Sequence, residues 1–197
     1  MKRIAIVCWL YFNALYAFAQ EPMSSKEASD FRDKVISKTA TIQNMQSEFE
    51  QRKHLDFLAN AIKTYGKMHY QKPNKLSWEY TKPYQYRIVF AQDKITITDN
   101  GKVSQVKADD KVFKKINNLI VSSVNGNVFD EKEFDITYWF SAKKAMVKLR
   151  TKEKILQRYI TEIQLTFSEK YLVEKVKLIE SSSDYTEILF KNTKINQ

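Results

Sequence analysis

The chain has 197 residues, with 33 Lys and Arg against 23 Asp and Glu and a formal net charge of +10. That length gives one domain with a real core. A basic balance often marks nucleic-acid binding, but Lys and Glu are interspersed here, which argues against a nucleic-acid partner and leaves a solvated surface or a basic face toward anionic membranes.

The first segment, MKRIAIVCWLYFNALYAFAQEP, has a positive start at Lys2 and Arg3, an apolar run from Ile4 to Ala14 and the small-x-small ending Ala17-Phe18-Ala19. It reads as a secretory signal peptide over residues 1–19, cut before Gln20, and it is too short and wrongly flanked for a membrane span. Cys8, the one cysteine, lies inside it, and none follows Ala19. The expected product, residues 20–197, is therefore exported and soluble, without disulfide, thiolate metal site or lipid anchor. The whole sequence holds 12 Phe, 11 Tyr and 3 Trp but only 3 Gly. So many rings suit a large concave apolar surface, although a dense core needs rings too.

Ser24 and Ser25 are N-cap candidates for a helix from Lys26 to Ile42, striped by Ala28, Phe31 and Val35. From Gln46 the apolar period becomes two, and Phe49, Leu55 and Phe57 are assigned to a first long strand. Ile62, Thr64, Gly66, Met68 and Tyr70 line one face of a second, with Lys63, Lys67 and His69 opposite. Pro73 and Pro83 fence a short strand in which Leu76, Trp78 and Tyr80 alternate with Ser77 and Glu79; proline cannot donate to a ladder and belongs at strand ends. Tyr84, Tyr86, Ile88 and Phe90 alternate next, and ITITDNGKVSQV is a hairpin turning at Asn100-Gly101. A second helix is expected from Asp109 to Val124, ended by Asn125-Gly126. Four or five further strands follow, at Phe134–Phe140, Met146–Arg150, Tyr159–Phe167, Leu172–Ser181 and Tyr185–Lys191. About ten antiparallel strands with two helices imply a mainly β fold, a large curved sheet with helices on one face.

Catalytic chemistry has little to draw on. His54 sits in a charged strand edge, and His69 points opposite to Met68 and Tyr70, toward solvent. No nucleophile elbow, zinc-helix or phosphate-loop motif occurs. The acidic run Asp130 to Asp135 lacks the glycine-turned spacing of a calcium loop and reads as a solvated turn before a strand. The chain reads as a binder and not an enzyme, with neither cofactor nor metal.

Phe49-Glu50-Gln51, Gly66 through Tyr70, Lys72-Pro73-Asn74, Trp78 and Pro83 together resemble the LolA-type periplasmic carriers of outer-membrane lipoproteins. The final Phe190, Asn192, Ile195 and Asn196 are similar to the family's closing motif. The resemblance implies an unclosed β-barrel capped by helices, with an apolar cavity between sheet and lid. On that likeness Phe49, Met68, Tyr70, Leu76, Trp78, Tyr80, Ile88 and Phe90 line the cavity, and Lys72 stands where the family often has an Arg that latches the lid. Lys has three donors on a flexible stem where Arg offers a planar fork of five, so the latch is expected to be weaker. The family's later Leu-x-Pro step is also missing, at Lys148 to Lys152.

The implied partners are lipoproteins or other acylated lipids, an inner-membrane lipoprotein-releasing ABC transporter and an outer-membrane acceptor. The carrier itself is expected to be a monomer in the periplasm. Carriage of another envelope lipid or a lipophilic pigment, or lipid sensing by a periplasmic regulator, stay open beside this reading.

Overall fold

The computed structural model describes residues 20–91, 94–107, 129–142 and 144–197. The expected leader and the helix expected from Asp109 to Val124 lie outside the described residues. The chain opens with β1 (Glu21–Pro22) and α1 (Ser25–Ala40). Ser24 caps α1 reciprocally: its Oγ accepts from the Glu27 N–H at 3.4 Å, and Glu27 Oε2 accepts from the Ser24 N–H at 2.9 Å. Then follow β2 (Asn44–His54), β3 (Ile62–Gln71), β4 (Lys75–Lys82), β5 (Tyr86–Ala91), β6 (Lys94–Asp99) and β7 (Lys102–Lys107). After the connection come β8 (Phe134–Ser141), β9 (Lys144–Thr151), a four-residue α2 (Lys154–Gln157), β10 (Ile160–Phe167), β11 (Val173–Glu180) and β12 (Tyr185–Ile195).

All twelve strands join one antiparallel sheet, in the order β1-β8-β9-β10-β11-β12-β2-β3-β4-β5-β6-β7, which does not close. The last strand lies against the first long one, with Phe190 opposite Phe49. The mainly β architecture, an open antiparallel barrel with helices, is the expected one. Asn100 and Gly101 take φ of 46° and 83° and turn the β6–β7 hairpin, as the Asn-Gly pair requires. Pro73 and Pro83 flank β4, each after a cis peptide bond.

Two expectations fail locally. The first long strand stops at His54, so Leu55 and Phe57 belong to a loop, and Phe57 is 80% exposed. The run after His54 has no alternation to bury; instead Asp184 Oδ1 accepts from the Asp56 N–H at 2.8 Å and Leu58 N–H bonds Leu55 O, turning the chain. Tyr84 likewise lies outside β5, 48% exposed, because Pro83 beside it cannot extend the ladder. Two elements had no visible signal, the two-residue β1 on Trp139 and Phe140, and α2.

The sheet has one apolar face, divided into two clusters. Phe31 and Val35 of α1 pack on Phe134, Val147, Leu149, Ile163, Leu165 and Phe167, the β8–β10 part. Phe31 meets Phe167 edge to face, with ring centres 5.1 Å apart. The second cluster lies on β2–β6 and β12, and no residue of α1 is in it. Val176 on β11 touches both, making the face continuous.

The opposite face is polar and tied by ion pairs. Glu50, only 8% exposed, accepts from Lys191 of β12 at 2.7 Å and from Arg52 at 2.7 Å, which clamps the central β2–β12 pair. Those hydrogen bonds, Lys191's first, hold the Glu50 carboxyl below its ordinary value. A carboxyl depressed in the fold stabilises it above the unfolded value of about 4.3 and loses that contribution as pH falls through the folded value. The stability difference between wild type and Glu50→Gln should therefore be constant near neutral pH and shrink below about pH 4. Urea midpoints from pH 7 to 3 check this, and a difference that persists unchanged at pH 3 refutes it.

Candidate functional site

The β2–β6 part of the apolar face is built from three register rows. Met45, Tyr70, Leu76, Phe90 and Ile95 form one, each opposite the next across β2 to β6. Ser47, Met68, Trp78, Ile88 and Ile97 form the second. Phe190, Phe49, Gly66, Tyr80 and Tyr86 form the third, starting on β12. Strict alternation puts every second residue on this face, so three strands with apolar residues at i, i+2 and i+4 generate the patch directly.

All eight residues expected to line a cavity fall in these rows. Phe49, Met68, Tyr70, Leu76, Trp78 and Phe90 are buried members of one cluster, and Tyr80 and Ile88 pack against it, half-buried. The Phe49 ring stacks on Trp78 at 4.2 Å and meets Tyr80 edge to face at 5.4 Å. Trp78 in turn meets Phe190 at 5.9 Å, nearly perpendicular. Phe190 escaped the sequence-based lining because its place depends on β12 returning beside β2; its signal was the closing Phe-x-Asn motif.

Glycine is needed at the centre of this arrangement. A methyl group on Gly66 would overlap both the Glu79 carbonyl oxygen and the Phe49 ring. The Phe49 ring thus occupies the space a side chain would take, and aromatic residues on β2 and β4 meet above β3.

The phenols within these rows are neutral. Burial pushes the Tyr80 and Tyr70 phenols up from their ordinary values. Tyr80 donates to Gln51 Oε1 at 3.1 Å, and Tyr70 donates to the Pro73 carbonyl at 3.1 Å, tying β3 to the proline turn. Such a surface offers dispersion and area without charge, which suits hydrocarbon and not a polar substrate.

Lys72 lies in that turn, exposed; its backbone N–H bonds Gln43 O at 2.8 Å, and its ammonium has no partner among the described residues. His69 is exposed on the polar face, and His54 stacks on Tyr185 at 4.2 Å. The acidic run forms the turn before β8, where Asp130 caps the Lys132 N–H and Asp135 pairs with Lys152 at 3.2 Å. On the polar face, a depression of about 520 Å³ is lined by Gln46, His69, Lys75, Ser77, Glu79 and Arg87 among others. A smaller one of about 290 Å³ shares Gln46 and His69 with it. Neither had a signal in the sequence: the larger gathers side chains from the consecutive strands β2 to β5, and the smaller joins β2 and β3 to Asn192 and Lys194 of β12.

Replacing Gly66 by Ala should cost about 2–3 kcal/mol, because the added carbon meets backbone on one side and a stacked ring on the other. Denaturant melts measure this; a Gly66→Ala protein as stable as wild type contradicts the packing described.

Residues 40–197 match the family described as outer membrane lipoprotein carrier protein LolA. No curated protein sequence matches. Among solved structures, MucB superposes with a TM-score of 0.52 at 10% identity, over 88% of this chain and 60% of that one. The LolA superfamily protein NE2245 from Nitrosomonas europaea gives 0.45 at 8% identity, over 86% and 94%. Lipoprotein LppX from Mycobacterium tuberculosis gives 0.47 at 7%, over 86% and 96%. At these identities the structural likeness concerns the fold, and it is the sequence match over residues 40–197, on an open sheet with one apolar face, that assigns the chain: it belongs to the LolA family.

Proposed function

We propose that the protein is a periplasmic carrier that shields the acyl chains of lipoproteins against its apolar face and moves them from the inner to the outer membrane. The observation that carries the reading is the uncharged aromatic face running through β12 and β2–β6 of an unclosed sheet. Its eight residues, Phe49, Met68, Tyr70, Leu76, Trp78, Tyr80, Ile88 and Phe90, are the lining in this proposal. The family supplies the cargo class, since its description names lipoprotein carriage.

The energetics favour such a device. Each methylene buried is worth roughly 0.8 kcal/mol, so a long acyl chain costs on the order of 10 kcal/mol to leave in water. A carrier offsets that cost by contact area, and flat rings supply area without directional bonds that would slow release. In this reading a releasing ABC transporter loads the carrier and an outer-membrane acceptor unloads it. The mature chain starts at Gln20, and Lys72 is the weaker latch at the turn between β3 and β4.

Native mass spectrometry of the protein purified from its own periplasm tests the cargo. The expected spectrum shows a chain beginning at Gln20 with bound lipoprotein or diacylated lipid. A consistently empty chain, or one carrying only a pigment or an unacylated ligand, overturns the lipoprotein reading. For the latch, Lys72→Arg should slow release of a bound fluorescent lipopeptide, and Lys72→Leu should speed it, about threefold in each direction, without shifting the melting temperature. Identical release rates in all three proteins would remove Lys72 from the mechanism.

A further inference from the structure

Buried hydroxyl groups are normally hydrogen-bonded, and one that is not calls for an explanation. Thr64 is 4% exposed, and its Oγ1 has no hydrogen-bond partner among the described residues. It faces the apolar side of β3, two residues from Gly66, and stands directly opposite Gln51 of β2. Gln51 accepts the Tyr80 hydroxyl on its Oε1, while its amide NH2 donates to nothing among the described residues. Unused donors from Thr64 and Gln51 are thus adjacent at the border of the rings of Phe49, Trp78 and Tyr80.

The charge around them narrows what they bind. Lys53, the next residue of β2 on this face, is engaged by Glu180 at 3.5 Å. A pair of neutral donors beside a cation already paired with Glu180 fits a neutral acceptor such as a carbonyl oxygen, and not a carboxylate or phosphate. From Gln51 back to Met45 the face runs six residues, about 20 Å, enough for one extended long acyl chain. The buried Tyr138 hydroxyl, also without a partner among the described residues, differs: its ring already packs against Phe31 of α1.

We propose that Thr64, with Gln51 beside it, is a subsite for the ester or amide carbonyl at the head of an acyl chain whose hydrocarbon lies over Phe49, Trp78 and Tyr70. The proposal rests on the carrier reading and adds a means of registering the cargo: the carbonyl fixes where the chain begins, and the Gln of the Phe-x-Gln motif acquires a task. Thr64 is a specificity-determining residue in this account.

The test compares two fluorescent lipopeptides on lipid-stripped protein. One carries a diacylglyceryl-cysteine with two ester-linked chains; the other carries the same chains through ether links, with a methylene in place of each carbonyl. Wild type should bind the ester form about three- to tenfold more tightly than the ether form. Thr64→Val should bind the ether form as wild type does and show no preference, whereas Thr64→Ser, which keeps the hydroxyl, should retain it. Thr64→Val should melt no lower than wild type, because it removes an unpaired hydroxyl without changing shape. Equal binding of both lipopeptides by wild type overturns the subsite while leaving the carrier intact, and so does a preference that survives Thr64→Val. If wild type binds neither lipopeptide, the carrier reading falls and the subsite with it.

Discussion

The Phe49 ring lies across the α-carbon of Gly66, and much of the inner face depends on that contact. With a side chain at residue 66, Phe49 would have to leave its place against Trp78 and Tyr80, and the three register rows would lose their common level. A glycine inside a strand costs backbone entropy and ordinarily weakens it. Here the loss is offset by an aromatic ring packed directly onto the backbone, which lets large residues from β2 and β4 meet over the strand between them.

The two faces of the sheet perform different tasks by different forces. On the outer face the central β2–β12 pair is clasped by the Glu50, Arg52 and Lys191 group, and Arg150 reaches Glu162 from β9 to β10 at 2.9 Å. These bonds are directional and fix register. On the inner face contact is by rings and aliphatic groups, with little directional preference apart from Tyr80 and Tyr70. A sheet held in register from behind leaves its front face at liberty to be selected for what it touches.

The inner face was legible in the sequence where period-two alternation is unbroken. Met68 and Tyr70, Leu76 and Trp78, and Ile88 and Phe90 declare their side within single strands, and Pro73 and Pro83 mark where the middle strand stops. What was illegible depends on partners far away in the chain. Phe190 acquires its role only from lying opposite Phe49. Glu50 is buried on the polar face, where Lys191 reaches it from a strand about 140 residues later, a relation no local pattern encodes. Leu55 and Phe57 misled for the opposite reason: apolar residues in a loop carry the composition of a strand without its alternation, and Phe57 is left in solvent. Thr64 reads from sequence as one more member of an alternating face; what sets it apart is a buried hydroxyl with no partner among the described residues.

The position of β12 governs the order in which the molecule can be completed. In the sheet it is flanked by β11 on one side and β2 on the other, so without it β2–β7 and β8–β11 are separate sheets, each with an open edge. A chain that emerges amino end first can zip β2 through β7 as successive hairpins, yet α1 has nothing to cover until β8 to β10 exist, because its contacts are with that half. The keystone arrives last. Until Tyr185–Ile195 is inserted, the ring of Phe190 is missing from the aromatic group and both inner edges stay unpaired. Such long-range closure is slow and leaves sticky edges exposed while it waits. It also makes completion all-or-none: the step that seals the sheet is the step that finishes its apolar face, so a truncated or still-emerging chain does not present that face in its final form.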